Sequence, residues 1–160
     1  MPKVMIGRRS ILSGLSAFAL FASGRVGIAA GPAVVVAKDP NCGCCSGWVE
    51  HLRQAGFAVE VRDVTDINRV RARLGVPSDL AACHTAEASG YVIEGHVPAS
   101  ALPRLLKQKP KAKGPAVAGM PVGSPGMEVP GTPPEEYNVM LVGPTRRIYA
   151  RFKGTVELSN

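Results

Sequence analysis

The sequence predicts one α/β domain, and three observations carry that prediction. Short apolar runs alternate with amphipathic stretches of helical spacing. The first apolar run leads through a cysteine-bearing turn directly into a helix, the way a thioredoxin-like fold presents its thiols. Near the end of the chain, two strand-like runs are separated by a short Gly-Pro linker. With 160 residues, 46% apolar and 19% charged, the chain has a globular balance and the length of one domain. Residues 31–160 are assigned to that domain and residues 1–30 to an export signal.

The elements follow in order. Ala33-Val34-Val35-Val36-Ala37 is a continuous apolar run, which predicts a strand buried on both faces. Lys38 to Asn41 is a turn. Cys44 to Ala55 reads as a helix with Trp48, Val49, Leu52 and Ala55 on one side and Gly56 as its stop. Ala58 to Val61 is a second strand. Asp66 caps a helix over Ile67–Leu74, which ends at Gly75. Tyr91 to Glu94 is a further strand, and Pro98 to Gln108 is a third helix with Leu102, Leu105 and Leu106 facing inward. Lys109 to Gly114 is a basic, solvated connector. Pro115 to Pro134 holds six Pro and four Gly besides Met120 and Met127, and predicts a long irregular loop with a function of its own. Tyr137–Val142 and Arg147–Phe152 then form a C-terminal hairpin across Gly143-Pro144-Thr145. No phosphate-binding glycine fingerprint follows the first strand, which removes the support for a flavodoxin-like alternative.

The charge of +7 is unevenly spread. Lys3, Arg8, Arg9 and Arg25 stand in the first thirty residues, which carry no acid, so the rest of the chain is only mildly basic. Composition therefore gives no case for a nucleic-acid partner, and none is expected. Arg8-Arg9 before Ser10-Ile11-Leu12 resembles a twin-arginine signal, followed by a mildly apolar stretch and small residues up to Ala30. An ordinary secretory signal and a retained anchor are the alternatives. The apolar stretch is shorter than the roughly 20 residues a membrane span requires, so no stable insertion is expected. All three readings place the domain outside the cytoplasm, which in a Gram-negative cell is the periplasm.

The four cysteines carry the chemistry. Cys42, Cys44 and Cys45 crowd into four positions, and Cys83 stands far downstream beside His84. Three thiols this close enclose almost no chain, so they restrict the unfolded state little and make a poor structural staple. At a helix N-terminus the unpaired N–H groups and the helix dipole favour thiolate. Cys42 and Cys45 have the Cys-x-x-Cys spacing of thiol–disulfide exchangers. Cys44 would compete for their disulfide, and its presence fits a soft metal better. A zinc site of four thiolates usually shows two separated pairs instead.

The run Asp39-Pro40-Asn41-Cys42-Gly43-Cys44-Cys45, then Trp48, His51, Gly75-Val76-Pro77, Cys83-His84-Thr85, Gly95-His96-Val97-Pro98 and Gly119-Met120-Pro121-Val122-Gly123-Ser124-Pro125-Gly126-Met127-Glu128, in this order, resembles the exported copper-resistance proteins of the CopG type. These are distinct from the DNA-binding repressors of the same name. The resemblance spans about 35–153. It implies a thioredoxin-like fold and copper bound by the cysteines, with copper ions and other copper-handling proteins as partners. Cys42, Cys44, Cys45 and Cys83 are then the expected ligands of Cu(I), holding one ion or more because thiolates can bridge. Dithiol exchange by Cys42 and Cys45, or redox chemistry on the copper, is the enzymatic alternative.

Three further ligands are expected. Met120 and Met127 lie in a loop with little core to fill, so their thioethers are available to a soft ion. His96 follows a strand at the end where α/β folds bind ligands. His84 is given less weight because adjacent side chains point apart. His51 reads as a surface or supporting residue, Trp48 as packing that shields the thiols, and Met140 as core.

Overall fold

A computed structural model describes residues 32–159. The export signal expected over residues 1–30 lies outside the described residues. Among the described residues no helix is long and apolar enough to cross a membrane.

One mixed sheet of eight strands organises the domain, with three α-helices packed around it. The chain runs β1 (Val34–Lys38), α1 (Gly43–Gln54), β2 (Val59–Asp63), α2 (Ile67–Leu74) and a 3-10 turn at Ser78–Leu80. It continues through β3 (His84–Ala88), β4 (Tyr91–Glu94), α3 (Ala101–Gln108), β5 (Gly114–Ala116), β6 (Glu136–Val142), β7 (Arg147–Lys153) and β8 (Val156–Leu158). The strand order is β2-β1-β3-β4-β5-β6-β7-β8. β1 runs parallel to β2 and antiparallel to β3, while β4 runs antiparallel to β3. A single parallel pair, Glu94 with Ala116, joins this first half to the antiparallel strands β5 to β8.

Helix boundaries follow the local chemistry. The Asp66 carboxylate accepts the N–H of Arg69 and caps α2, and Gly75 closes it in the left-handed conformation at φ 66°. The buried face of α1 is Cys45, Trp48, Val49 and Leu52. That of α3 is Ala101, Leu102 and Leu105. These meet Val34, Val36, Ala86, Ile93, Val97, Val139 and Phe152 in one contiguous core.

Several expectations are corrected. β1 alternates buried and half-buried residues rather than being sealed on both faces. β3 lies where no strand was expected. Its residues, His-Thr-Ala-Glu-Ala, are poor strand formers, and pairing with β1 and β4 overrides that weakness. Ser89 and Gly90, both with positive φ, make the two-residue turn into β4. α3 starts at Ala101, three residues after the proline taken as its first position. β5 occupies part of what read as connector and irregular loop, through Gly114, Pro115 and Ala116. β6 and β7 pair antiparallel, but β8 pairs onto β7, so the C-terminus is three-stranded rather than a two-stranded hairpin.

The open edges of the sheet are β2 and β8. On β2, Glu60 and Arg62 form an exposed ion pair at 2.8 Å. β8 has only three residues.

Candidate metal centre

The turn after β1 delivers the cysteine triplet to the start of α1. The Asp39 side chain accepts the N–H of Asn41 at 2.8 Å, and the Asp39 carbonyl accepts that of Cys42 at 3.1 Å. Cys42 caps the helix, and Cys44 and Cys45 occupy its first turn. In this structure Cys42 and Cys45 are joined in a disulfide, while Cys44 and Cys83 are free.

Cys83 comes from the segment that enters β3, and the fold brings it to the triplet. Cys44 Sγ lies 3.4 Å from Cys42 Sγ and 3.6 Å from Cys83 Sγ. The ligating atoms of all four cysteines lie within 4.8 Å of one another. Burial, followed by the neighbouring Cys44, pushes the Cys83 thiol up to about 12. Its proton is therefore retained at neutral pH until something displaces it.

Two histidines back the cysteines. His96 is buried and offers Nδ1 to the Pro125 carbonyl at 2.8 Å. A carbonyl only accepts, so Nδ1 carries the proton and Nε2 presents a lone pair. That lone pair faces Cys83 Sγ at 3.1 Å and accepts its S–H. His84 is fully buried, with Nδ1 3.4 Å from the same sulfur, while its Nε2 has no partner. Burial, helped by the nearby His96, lowers the His84 pKa to about 3, so the ring is neutral and can serve as a donor. Cys83, His84 and His96 make a second set of donors within 4.8 Å of one another, sharing Cys83 with the first.

His84 was underweighted by the sequence because adjacent side chains were expected to diverge. Here the ring nitrogen reaches back to the Cys83 sulfur, and the ring is held on both sides. Trp48 packs on it at 4.3 Å between centroids, and His96 meets it edge-on at 4.9 Å. Trp48 is itself fully buried, its Nε1–H donating to the Val97 carbonyl at 2.8 Å. His51 is half-buried and accepts the Ala99 N–H on Nε2 at 3.0 Å, tying α1 to the segment that follows His96.

The Pro/Gly-rich loop folds over the start of α1. Its turn is closed by Gly123 N–H donating to the Met127 carbonyl and Met127 N–H to the Ser124 carbonyl, at 2.8 and 2.7 Å. Gly126, at φ 84°, lies against α1 so closely that an added Cβ would overlap the Cys44 carbonyl oxygen and sit 2.6 Å from the Trp48 nitrogen. This contact and the Pro125–His96 hydrogen bond seat the loop on the centre. Met120 is exposed at 53%, and Met127 is half-buried beside Gly126. Met140 packs against Leu80, Ala116 and Val142.

A buried ion pair stands next to Cys83 that spacing alone does not reveal. Arg71 Nε donates to Glu94 Oε1 at 2.8 Å, and both side chains are buried. The detectable signal was a lone acid ending the apolar strand Tyr91–Glu94 just before Gly95-His96.

Fold and site together define a small α/β protein with a soft, metal-capable sulfur and imidazole cluster at a helix N-terminus. Residues 80–127 match the family described as a protein of unknown function, DUF411. No curated protein sequence matches the chain. Two solved structures, both titled copper resistance protein CopG, are similar over most of their length. Form 2 shares 39% identity at a TM-score of 0.71, and form 1 shares 40% at 0.70. Each comparison covers 76% of this chain and 98% of the other. The chain belongs to the CopG family of copper resistance proteins.

Proposed function

We propose that this protein is exported to the periplasm and captures copper there, chiefly Cu(I), contributing to copper resistance. The ligands in this reading are Cys42, Cys44, Cys45 and Cys83, with His96 and the thioethers of Met120 and Met127 joining them. The observation that carries it is the convergence of four sulfurs within 4.8 Å, although Cys83 stands 38 positions beyond Cys45. Clustered sulfur donors with imidazole select Cu(I) over harder ions. The strand order β2-β1-β3-β4, with β1 and β2 parallel and β3 reversed, supports a thioredoxin-like reading of the first half.

The residues divide the work. Two electrons and two protons delivered by a thiol reductant open the Cys42–Cys45 disulfide and supply two thiols. Cys44 links that pair to Cys83. Each sulfur releases its proton as it binds, so capture is favoured by higher pH. His96, fixed by Pro125, keeps its Nε2 lone pair on the centre, and the Cys83 proton passes to solvent as its sulfur binds. Trp48 and the loop limit access of water.

The test is to purify the mature protein with and without reductant, quantify bound copper by mass spectrometry and count free thiols in the same samples. Copper in the reduced protein, with free thiols disappearing as it loads, is expected. Reduced protein that binds no Cu(I) would refute the proposal.

One observation favours a second reading, a thiol–disulfide oxidoreductase. The Cys42–Cys45 bond is formed, and the free Cys44 sulfur lies 3.4 Å from Cys42. Cys44→Ser separates the two. It weakens copper binding in the first reading and leaves dithiol exchange by Cys42 and Cys45 intact in the second.

A further inference from the structure

We infer that Arg71 and Glu94 are positioning residues for copper capture, holding Cys83 in register with the cysteine triplet and with His96. The inference rests on the proposed role of Cys83 as a copper ligand. Together they act on the residues flanking Cys83, through the backbone of Ala82 on one side and the hydroxyl of Thr85 on the other.

Glu94 uses both carboxylate oxygens for this. Oε1 accepts the N–H of Ala82 at 2.8 Å, and Oε2 accepts the hydroxyl of the buried Thr85. Arg71 completes the clamp. Its Nε pairs with Glu94 Oε1, one terminal nitrogen donates to the Ala82 carbonyl, and the other donates to Asn68 Oδ1 at 2.7 Å. The residue before Cys83 is thereby held at both its N–H and its carbonyl, and the second residue after it is held at its side chain. The only chain left between those anchors is Cys83 and His84.

The same carboxylate fixes the other half of the centre. Glu94 is paired with Thr85 in the β3–β4 register and stands two residues before His96. The Gly95 N–H donates to the His84 carbonyl at 3.1 Å. Cys83 and His96 are thus set at 3.1 Å by a frame anchored on one buried acid.

Energetics point the same way. A buried ion pair is weak evidence for stability, because desolvation opposes the attraction, and well-packed apolar replacements are often neutral or stabilising. A buried pair whose remaining bonds, apart from the one to Asn68, hold the residues flanking a two-residue segment is better accounted for by the geometry it imposes there. Removing groups that orient metal ligands typically weakens metal binding about 10- to 100-fold.

The experiment uses the mature chain, reduced and metal-free, in three variants: Arg71→Met/Glu94→Leu, Thr85→Val and Cys83→Ala. Circular dichroism establishes that each is folded. Iodoacetamide labelling with peptide mass spectrometry then gives the rate at Cys83 relative to that at Cys44, a ratio that a general loss of stability does not shift selectively. Cu(I) affinity is measured against a chromogenic chelator, and the ultraviolet thiolate-to-copper absorption is read per bound ion. The double variant should label Cys83 about tenfold faster relative to Cys44 and bind Cu(I) about 10- to 100-fold more weakly. Its absorption per ion should fall to that of Cys83→Ala. Thr85→Val keeps the ion pair and the shape but removes one anchor, so it should change the labelling ratio in the same direction by a smaller factor. The parent's ratio in a folded double variant overturns the inference; should that variant not fold, the parent's ratio in Thr85→Val overturns it. If Cys83→Ala binds copper like the parent while the double variant still frees Cys83, the ligand assignment fails and the positioning role stands.

Discussion

Replacing Gly126 by alanine should detach the Pro/Gly-rich loop from the metal centre. Gly126 sits at φ 84°, where a residue with a Cβ loses about 1–2 kcal/mol. The added carbon would also overlap the Cys44 carbonyl and lie 2.6 Å from the Trp48 nitrogen. Both are backbone atoms inside α1 and have no room to yield. The loop must therefore lift, and the Pro125 carbonyl leaves His96 Nδ1, a hydrogen bond with a net contribution of about 1 kcal/mol. That bond opposes opening, so the backbone penalty of about 1–2 kcal/mol sets the shift, about 5- to 30-fold more of the open loop before the overlap adds to it. Gly131→Ala is the matched control. It has φ 77° and the same backbone strain, but an added Cβ meets nothing within 4 Å. Competition with a chromogenic Cu(I) chelator and limited proteolysis of the loop read the two variants side by side. Gly126→Ala should become protease-sensitive and lose Cu(I) affinity by up to the same factor, whereas Gly131→Ala should hold copper like the parent. Equal affinity and equal protease resistance in Gly126→Ala and the parent would refute the docking argument.

The remaining predictions concern the thioethers, a histidine and the address. Met120→Leu/Met127→Leu keeps volume and apolarity while removing both sulfurs, so Cu(I) retention should weaken with zinc binding and fold unchanged; equal Cu(I) affinity would show that the loop contributes no ligand. Burial, opposed by Glu128, lowers the His51 pKa, and its neutral Nε2 accepts the Ala99 N–H. This contribution is present above the unfolded value of about 6.5 and is lost as pH falls below it toward the folded value. Half-exposure limits it to about 1 kcal/mol or less, and urea unfolding at pH 7.5 and 5.5 should show a smaller difference in His51→Gln than in the parent. Identical differences would count against it. Replacing Arg8 and Arg9 with Lys should block export through the twin-arginine route, and unchanged export that depends on the general secretory machinery would refute that route.

The sequence made α1, α2 and β4 readable because each carries its own punctuation. Asp66 and Gly75 bracket α2, and Gly56 stops the chain after α1. β3 was not readable, because Ala86, Glu87 and Ala88 become a strand only through the partners on both sides. β5 was hidden by Pro115, because a proline argues against a central strand, yet the three residues Gly114–Ala116 pair between β4 and β6. The same division runs through the site. The triplet announced itself by spacing, and Cys83 by being the sole remaining cysteine. His84 and the Arg71–Glu94 pair acquire their roles from burial and register, which no local pattern encodes. Which sulfurs pair was likewise left open by spacing, and the structure closes Cys42 on Cys45.

The edges of the sheet bear on whether copies of the chain pair with one another. Eight strands in one sheet leave two rows of unsatisfied backbone groups, each a template on which a neighbouring molecule can pair. One row runs along β2, where Glu60, Arg62 and Asp63 put charge of both signs on the border. The other is β8, three residues long, and its Glu157 is held by Arg104 at 2.8 Å. A second molecule would have to desolvate those charges at one border and would find too few bonds at the other. Resistance to strand-by-strand polymerisation is thus built into the borders, which leaves the cysteine face free to meet metal without the sheet recruiting copies of itself.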